Sequence, residues 1–303
     1  MITLVKDIKD ANCITHSGTM HADEIFATAF LELYKDNIKL FRTNNPTGND
    51  KAIIYDIGKG KFDHHQLDAK VRENGIKYCA FGLLWEEYGK EYLKDLEIED
   101  IDEVYEYFIK DFVEQIDAID NGMFPKIEAK FKVKTLSDIF KLFNPSSFSD
   151  EDENTQFLKA ENLAKIILEE EILNCIGKVK TSNIINELIE KNENKYYLIL
   201  DKYMPYEEFL ISNEKANDIL FVIYPSNRDG YCIKTVPTSP TDKSTRLDFP
   251  KNWGGLTDEE LERESGLEGL TFCHATLFLA VAKDLDTAIK AVNKAIEEKK
   301  WKN

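Results

Sequence analysis

The sequence predicts an α/β protein: a mostly parallel sheet flanked by helices, followed by a smaller C-terminal α+β domain. Three observations predict it. Short apolar runs alternate with helical patterns through the first half of the chain, as in a layered α/β architecture. One of those runs, residues 52–57, is nearly all apolar, as expected of a strand buried on both faces. From about Ser149 the texture changes to a polar, turn-rich stretch and then to a long charged helical pattern.

Taken in order, residues 12–15 read as a strand end. Ala22–Tyr34 reads as a helix, with Ile25, Phe26, Ala29, Phe30 and Leu33 on one side. Ile38–Arg42 and residues 52–57 read as strands, and residues 79–88 and 101–119 as helices. Residues 156–190 are charged and helical, with an interruption expected near Gly177. Residues 196–200, 219–224 and 231–236 are strand-like, and 285–299 form an amphipathic helix. The chain therefore divides into a metal-binding catalytic domain over 1–150, a helical connector over 151–194 and a substrate-binding domain over 195–303.

Composition narrows the function classes. The 303 residues carry a formal net charge of −17, which excludes a broad basic footprint for long nucleic acid. Only five arginines occur: Arg42, Arg72, Arg228, Arg246 and Arg263. A polyanionic substrate must therefore be held by cations and a few local charges. The five cysteines are widely spaced, with no Cys-x-x-Cys pair, so neither a disulfide framework nor a zinc-thiolate site is expected. No run approaches the roughly 20 apolar residues of a membrane span. With no secretory signal legible at the N-terminus, a cytoplasmic protein that does not engage membranes is expected.

Four of the five histidines lie within the first 65 residues, each beside acids. His16-Ser-Gly-Thr-Met-His21-Ala-Asp23-Glu24 joins a strand to a helix. Backbone turns can converge His16, His21 and Asp23 there, although an acid at a helix start also serves as a plain cap. Asp56 closes the apolar run 52–57, where open α/β sheets place ligands. A lone ionised carboxylate is costly in an apolar setting, and a cation or a turn before Gly58 would satisfy it. In Phe62-Asp63-His64-His65-Gln66, adjacent imidazoles point in different directions, so one can ligate while the other faces substrate and Asp63 orients a ring. Asp117 and Asp120 share a helix face with Val113 and Ile116, and the spacing leaves open which of them ligates. Carboxylates and imidazoles drawn from separate loops suit two divalent cations, Mn²⁺ first and Mg²⁺ as the alternative, acting on a phosphate.

These residues resemble the DHH phosphoesterase superfamily, and more closely the melanocyte-proliferating-gene-one (Myg) family. Residues 15–24, 62–66 and 112–122 carry the resemblance, with Arg246, the Trp253-Gly254-Gly255-Leu256-Thr257-Asp258 run and Phe272-Cys273-His274-Ala275. It implies a DHH-type domain succeeded by a substrate-facing one. It also implies metal-dependent hydrolysis, with 3′–5′ RNA exonuclease activity in eukaryotic relatives. By the same resemblance His16, His21 and Asp23 hold the metals, Asp56 bridges them and His64 ligates one. Asp117 or Asp120 completes the set, and His65, oriented by Asp63, approaches the scissile phosphate. Arg246 and His274 bind substrate phosphate. The chain departs from the superfamily in carrying His21 where Asp is usual. It also lacks the glycines and basic residues that usually come after His274. The expected substrate is RNA or a short oligonucleotide. A phosphatase or pyrophosphatase acting on a small metabolite, and a non-catalytic metal-binding protein, are the alternatives.

Overall fold

The computed structural model describes residues 1–241 and 244–300, so 242–243 and 301–303 of the expected C-terminal domain lie outside the described residues. The chain divides into two compact units, Met1–Val179 and Lys180–Asn303. The first begins with β1 (Ile2–Leu4), β2 (Cys13–Thr15), α1 (Ala22–Tyr34), β3 (Ile38–Arg42) and β4 (Ile53–Ile54). These strands form one parallel sheet in the order β1-β3-β2-β4. Then come α2 (Ala80–Asp95), α3 (Ile101–Phe108), a π-helical turn (Ile109–Val113), α4 (Glu114–Asp120), α5 (Leu136–Phe140) and α6 (Glu153–Lys191).

Periodicity explains the helices. The apolar side of α1 buries Ile25, Phe26, Ala29 and Phe30 completely. Phe26 meets Phe112 and Phe140 edge-on, at ring-centroid distances of 5.2 and 5.0 Å. Trp85 of α2 packs on Phe108, 4.5 Å between centroids. Large rings thus fill the space between sheet and helices, where each buried aromatic contributes most of the hydrophobic gain.

Two elements differ from the sequence expectation. The run 52–57 yields only the short β4, because Asp56 turns left-handed (φ 56°) and ends the strand. The expected break at Gly177 does not occur, and α6 runs unbroken for 39 residues. A helical glycine costs about 1 kcal/mol. Cys175 and Val179, buried on either side of it, hold the helix against the core.

The second unit contains β5 (Tyr197–Ile199), α7 (Glu207–Ser212), β6 (Phe221–Pro225) and β7 (Tyr231–Thr235), then α8 (Asp258–Ser265), β8 (Leu270–Cys273), β9 (Leu279–Ala282) and α9 (Leu285–Lys300). Its five strands order as β5-β6-β7-β9-β8, parallel only between β5 and β6. Alanines 288, 291 and 295 let α9 lie close on this sheet. The five cysteines are free. Among the described residues, no helix is long and apolar enough to cross a membrane.

Candidate metal centre

Parallel pairing of β2 with β4 puts Cys13 opposite Ile53 and Ile14 opposite Ile54. The two strands therefore end side by side, and the segments leaving them meet at the carboxyl edge of the sheet. After β2 comes the loop from His16 to His21. After β4 comes Asp56, whose left-handed backbone folds the chain back so that its amide donates to the Phe62 carbonyl (2.9 Å). That return delivers Asp63, His64 and His65 to the same edge. The first loop is tied down separately. Arg42, at the end of β3, pairs with Glu153 (2.8 Å), and Glu153 also accepts from the Gly18 amide (2.8 Å).

Asp56 stands at the centre. One carboxylate oxygen lies 3.2 Å from His16 Nε2, and the other lies 3.1 Å from His64 Nε2. His64 Nε2 also lies 3.3 Å from Asp120 and 3.6 Å from Asp23. His16 Nε2 is 3.4 Å from Glu24, whose other oxygen is 3.9 Å from His21 Nδ1. His65 Nδ1 donates to Asp63 (2.8 Å), and Asp63 is itself fixed by the amides of Lys59 and His65 (2.6 and 3.0 Å). Three sets of donors result, each with ligand atoms within 4.8 Å of one another: His16, His21 and Glu24; Asp56, His64 and His65; Asp23, His64 and Asp120.

This donor set fits divalent cations. It mixes imidazole with hard carboxylate oxygen, as borderline cations prefer. Glu24 is fully buried, one oxygen accepting from the His21 amide (2.8 Å), while its Oε2 has no hydrogen-bond partner. Leaving such an oxygen unsatisfied is costly unless a cation meets it. Glu24 was not among the ligands the sequence suggested. Beside Asp23 at a helix start it reads as a cap, and only its burial and its unpartnered oxygen distinguish it.

Of the two acids on α4, Asp120 reaches the cluster. Asp117 is in none of the three donor sets and is fully buried, paired with Arg72 (2.6 Å) and accepting from the Cys79 amide (2.9 Å). It anchors the start of α2. A Cβ at Gly82 would fall on this carboxylate, so the close approach requires glycine there. Asp23 also braces α2, accepting from the Ala80 and Phe81 amides (2.9 and 2.6 Å). Arg246 and His274 belong to the second unit. The Arg246 guanidinium donates to the carbonyls of Leu210, Ala216 and Ile219. His274 opens the turn between β8 and β9, with Nδ1 engaged by Thr276.

The electrostatics reflect the crowding of like charges. Burial works against a charged ring at His16, but Asp56 and Glu24 outweigh it and push the imidazole up to about 11. His64 is likewise raised, to about 9, by Asp56, Asp23 and Asp120 against burial. Asp56, despite burial, is held at about 2 by the two imidazoles. Burial, with neighbouring carboxylates, raises Asp23 and Asp120.

The signs give a stability profile for the metal-free protein. The contribution of the raised histidines is complete below their unfolded pKa of about 6.5 and is lost as pH rises through their folded values. The raised carboxyls act in the same direction, since the unfolded chain gives up those protons at lower pH than the folded one does. Asp56 acts oppositely, and its contribution disappears only as pH falls toward about 2. Cations take deprotonated ligands. The Tm difference between Mn²⁺-loaded and chelator-treated protein is therefore expected to widen from about pH 6 to about pH 9. Differential scanning calorimetry checks this, and a gap independent of pH would rule out exchange of protons for metal at these ligands.

The cleft holding these groups has a volume of about 900 Å³ and is lined by His16, His21, Asp56, His64, His65 and Asp120 among others. Its mouth is open: the side chains of His21 and His65 are 47% and 62% exposed. Residues 12–296 match the sequence model MYG1_exonuc, described as an uncharacterised protein family, UPF0160. The chain belongs to the MYG1 family. It is 28% identical to the MYG1 protein of Schizosaccharomyces pombe, over 93% of this chain and 96% of that one. It is 27% identical to the MYG1 protein of Dictyostelium discoideum, over 96% and 98%. It is 28% identical to the MYG1 exonuclease of Rattus norvegicus, over 88% of this chain and 79% of the rat protein. All the candidate ligands fall inside the stretch that matches the MYG1 family.

Proposed function

We propose that the chain is a metal-dependent phosphodiesterase that works as a 3′–5′ exonuclease on RNA or short oligonucleotides with two divalent cations, Mn²⁺ by preference. The observation that carries this reading is Asp56. Its two oxygens face two separate donor groups, His16 on one side and His64 with Asp23 and Asp120 on the other. A carboxylate so placed is suited to bridge two ions. His16, His21 and Glu24 would complete one ion's protein ligands, and Asp23, His64 and Asp120 the other's. Cations held there would polarise the phosphoryl group and lower the pKa of a bound water.

The remaining work falls to the protein's own groups. Asp63 accepts the hydrogen bond from His65 Nδ1–H, which fixes the ring and leaves Nε2 as the nitrogen available to a substrate oxygen. With a proton on Nε2 as well, as the imidazolium, His65 at the cleft mouth would bind a non-bridging phosphoryl oxygen or pass that proton to the leaving one. Arg42 and Glu153 hold the first loop rigid, so that His16 and His21 keep their places. The exonuclease name of the rat relative supports the substrate class, as does a cleft open enough to receive the end of a strand. The testing experiment is a hydrolysis screen with Mn²⁺ over dinucleotides, short RNA, short DNA and pyrophosphate. Turnover of short RNA above pyrophosphate is expected. Pyrophosphate hydrolysis alone would move the assignment to a small-metabolite enzyme, and no turnover of any phosphoester would remove it.

A further inference from the structure

The chain leaves the metal cluster along an unusual segment. Asp120 ends α4, Asn121 clamps that end to the carbonyls of Lys77 and Tyr78, and Gly122 turns the backbone with φ 79°. From residue 123 to residue 134 every position is exposed and none belongs to a helix or strand. The far end is pinned again. Thr135 caps α5, Phe140 is buried against Phe26, and the Asn144 side chain accepts from the Met20 amide (2.6 Å) and donates to the Met20 carbonyl (3.0 Å). Met20 lies in the loop between His16 and His21. The strap is thus fastened at both ends to elements that carry ligands.

Its composition is opposite to that of the protein. Lys126, Lys130, Lys132 and Lys134 stand against the single acid Glu128, a net charge of +3 in a chain of −17. Between the lysines, Phe124 and Phe131 are 66% and 77% exposed. Two exposed phenylalanines in one loop carry a hydration cost that nothing in the fold requires. Phenylalanine faces interleaved with lysine suit one kind of ligand: a single strand whose bases stack on the rings and whose phosphates meet the ammonium groups. Phe124 is four residues beyond Asp120, so its Cα lies within about 14 Å of the cluster's edge along the chain.

We propose that residues 123–134 form a track for single-stranded nucleic acid, holding the strand just beyond the nucleotide at the metal centre. This rests on the cleft being a phosphodiester site. It explains how an acidic protein with few arginines grips a polyanion: a locally net-positive stretch stands where the strand passes.

The test uses the full chain and a 5′-fluorescein-labelled RNA of ten nucleotides. Fluorescence anisotropy in EDTA reads binding without hydrolysis. Phe124→Ala and Phe131→Ala are each expected to weaken binding about tenfold. Replacing Lys130, Lys132 and Lys134 together by serine should reduce the slope of log Kd against log salt by about 2, since each phosphate left unneutralised removes roughly 0.7. With Mn²⁺ present, the same variants should lose at least about ten times more activity on the decamer than on bis(p-nitrophenyl) phosphate. Wild-type affinity and salt slope in both sets of variants would overturn the track. So would a wild-type protein that binds no strand, which would point to a protein partner for this surface, or equal losses on decamer and small diester. Binding in EDTA does not depend on catalysis. A wild type that binds the strand through these residues but hydrolyses no phosphodiester would sink the enzymatic reading and leave the track standing.

Discussion

Asp56→Asn is expected to reduce phosphodiester hydrolysis by well over about 100-fold while leaving the protein folded. Substitutions of residues that merely support a metal's ligands commonly cost about 10–100-fold, and Asp56 touches both halves of the donor cluster. Asparagine is the informative replacement because the residue sits at φ 56°, a left-handed conformation that Asn and Asp tolerate better than other side chains. The backbone turn that ends β4 and returns toward Phe62 should therefore survive. The change is one negative charge facing His16 and His64. Mn²⁺ binding by isothermal titration calorimetry should show reduced stoichiometry or affinity, with the far-UV circular dichroism spectrum unchanged. A variant that retains near-normal turnover at saturating Mn²⁺ would show that Asp56 does not hold the metals.

Arg72→Met should have the reverse profile, with a large loss of stability and the metal cluster's chemistry spared in the protein that remains folded. Asp117 is fully buried, and Arg72 supplies the positive charge that its carboxylate meets, the Cys79 amide being a further partner. Breaking a buried pair from one side costs about 3–5 kcal/mol, because a charge is left without its counterion. Burial already raises the Asp117 carboxyl against the pull of Arg72, so without the arginine it can take up a proton and limit the damage. The expected loss is about 3 kcal/mol, or roughly 6–12 °C in Tm for a domain of this size. Chemical denaturation and calorimetry measure it. A change within about 0.5 kcal/mol, the range of ordinary surface substitutions, would mean that the pair does not anchor α2. The contrast with Asp120→Asn, which should impair metal binding with little loss of stability, separates the two acids that sequence spacing alone leaves equivalent.

The difference between those acids marks the limit of reading this chain as a string. The α/β class is legible in the chain alone, because buried parallel strands and amphipathic helices leave distinct periodicities. The chain also indicates where candidate ligands gather. Histidines and acids just after apolar strands must come to the carboxyl edge of a parallel sheet, whatever the details of packing. The structure brings His16, His21, Asp23, Asp56 and His64 together at that edge, where their positions in the sequence place them. The tertiary structure decided what depends on partners distant in sequence. Asp117 and Asp120 share a helix face, but Arg72, 45 positions from Asp117, engages one carboxylate while the other joins the donor cluster. Glu24 was passed over beside Asp23, and it is marked out by its burial and by an oxygen with no partner. Gly177 looked like a break until the residues around it proved to be packed in the core. The run 52–57 looked like a full strand, yet it turns at Asp56 to bring the next two histidines back. Local pattern fixes which faces are apolar and which loops carry chemistry. The destination of a particular carboxylate is settled by the charge it meets, and that charge is supplied by another part of the chain.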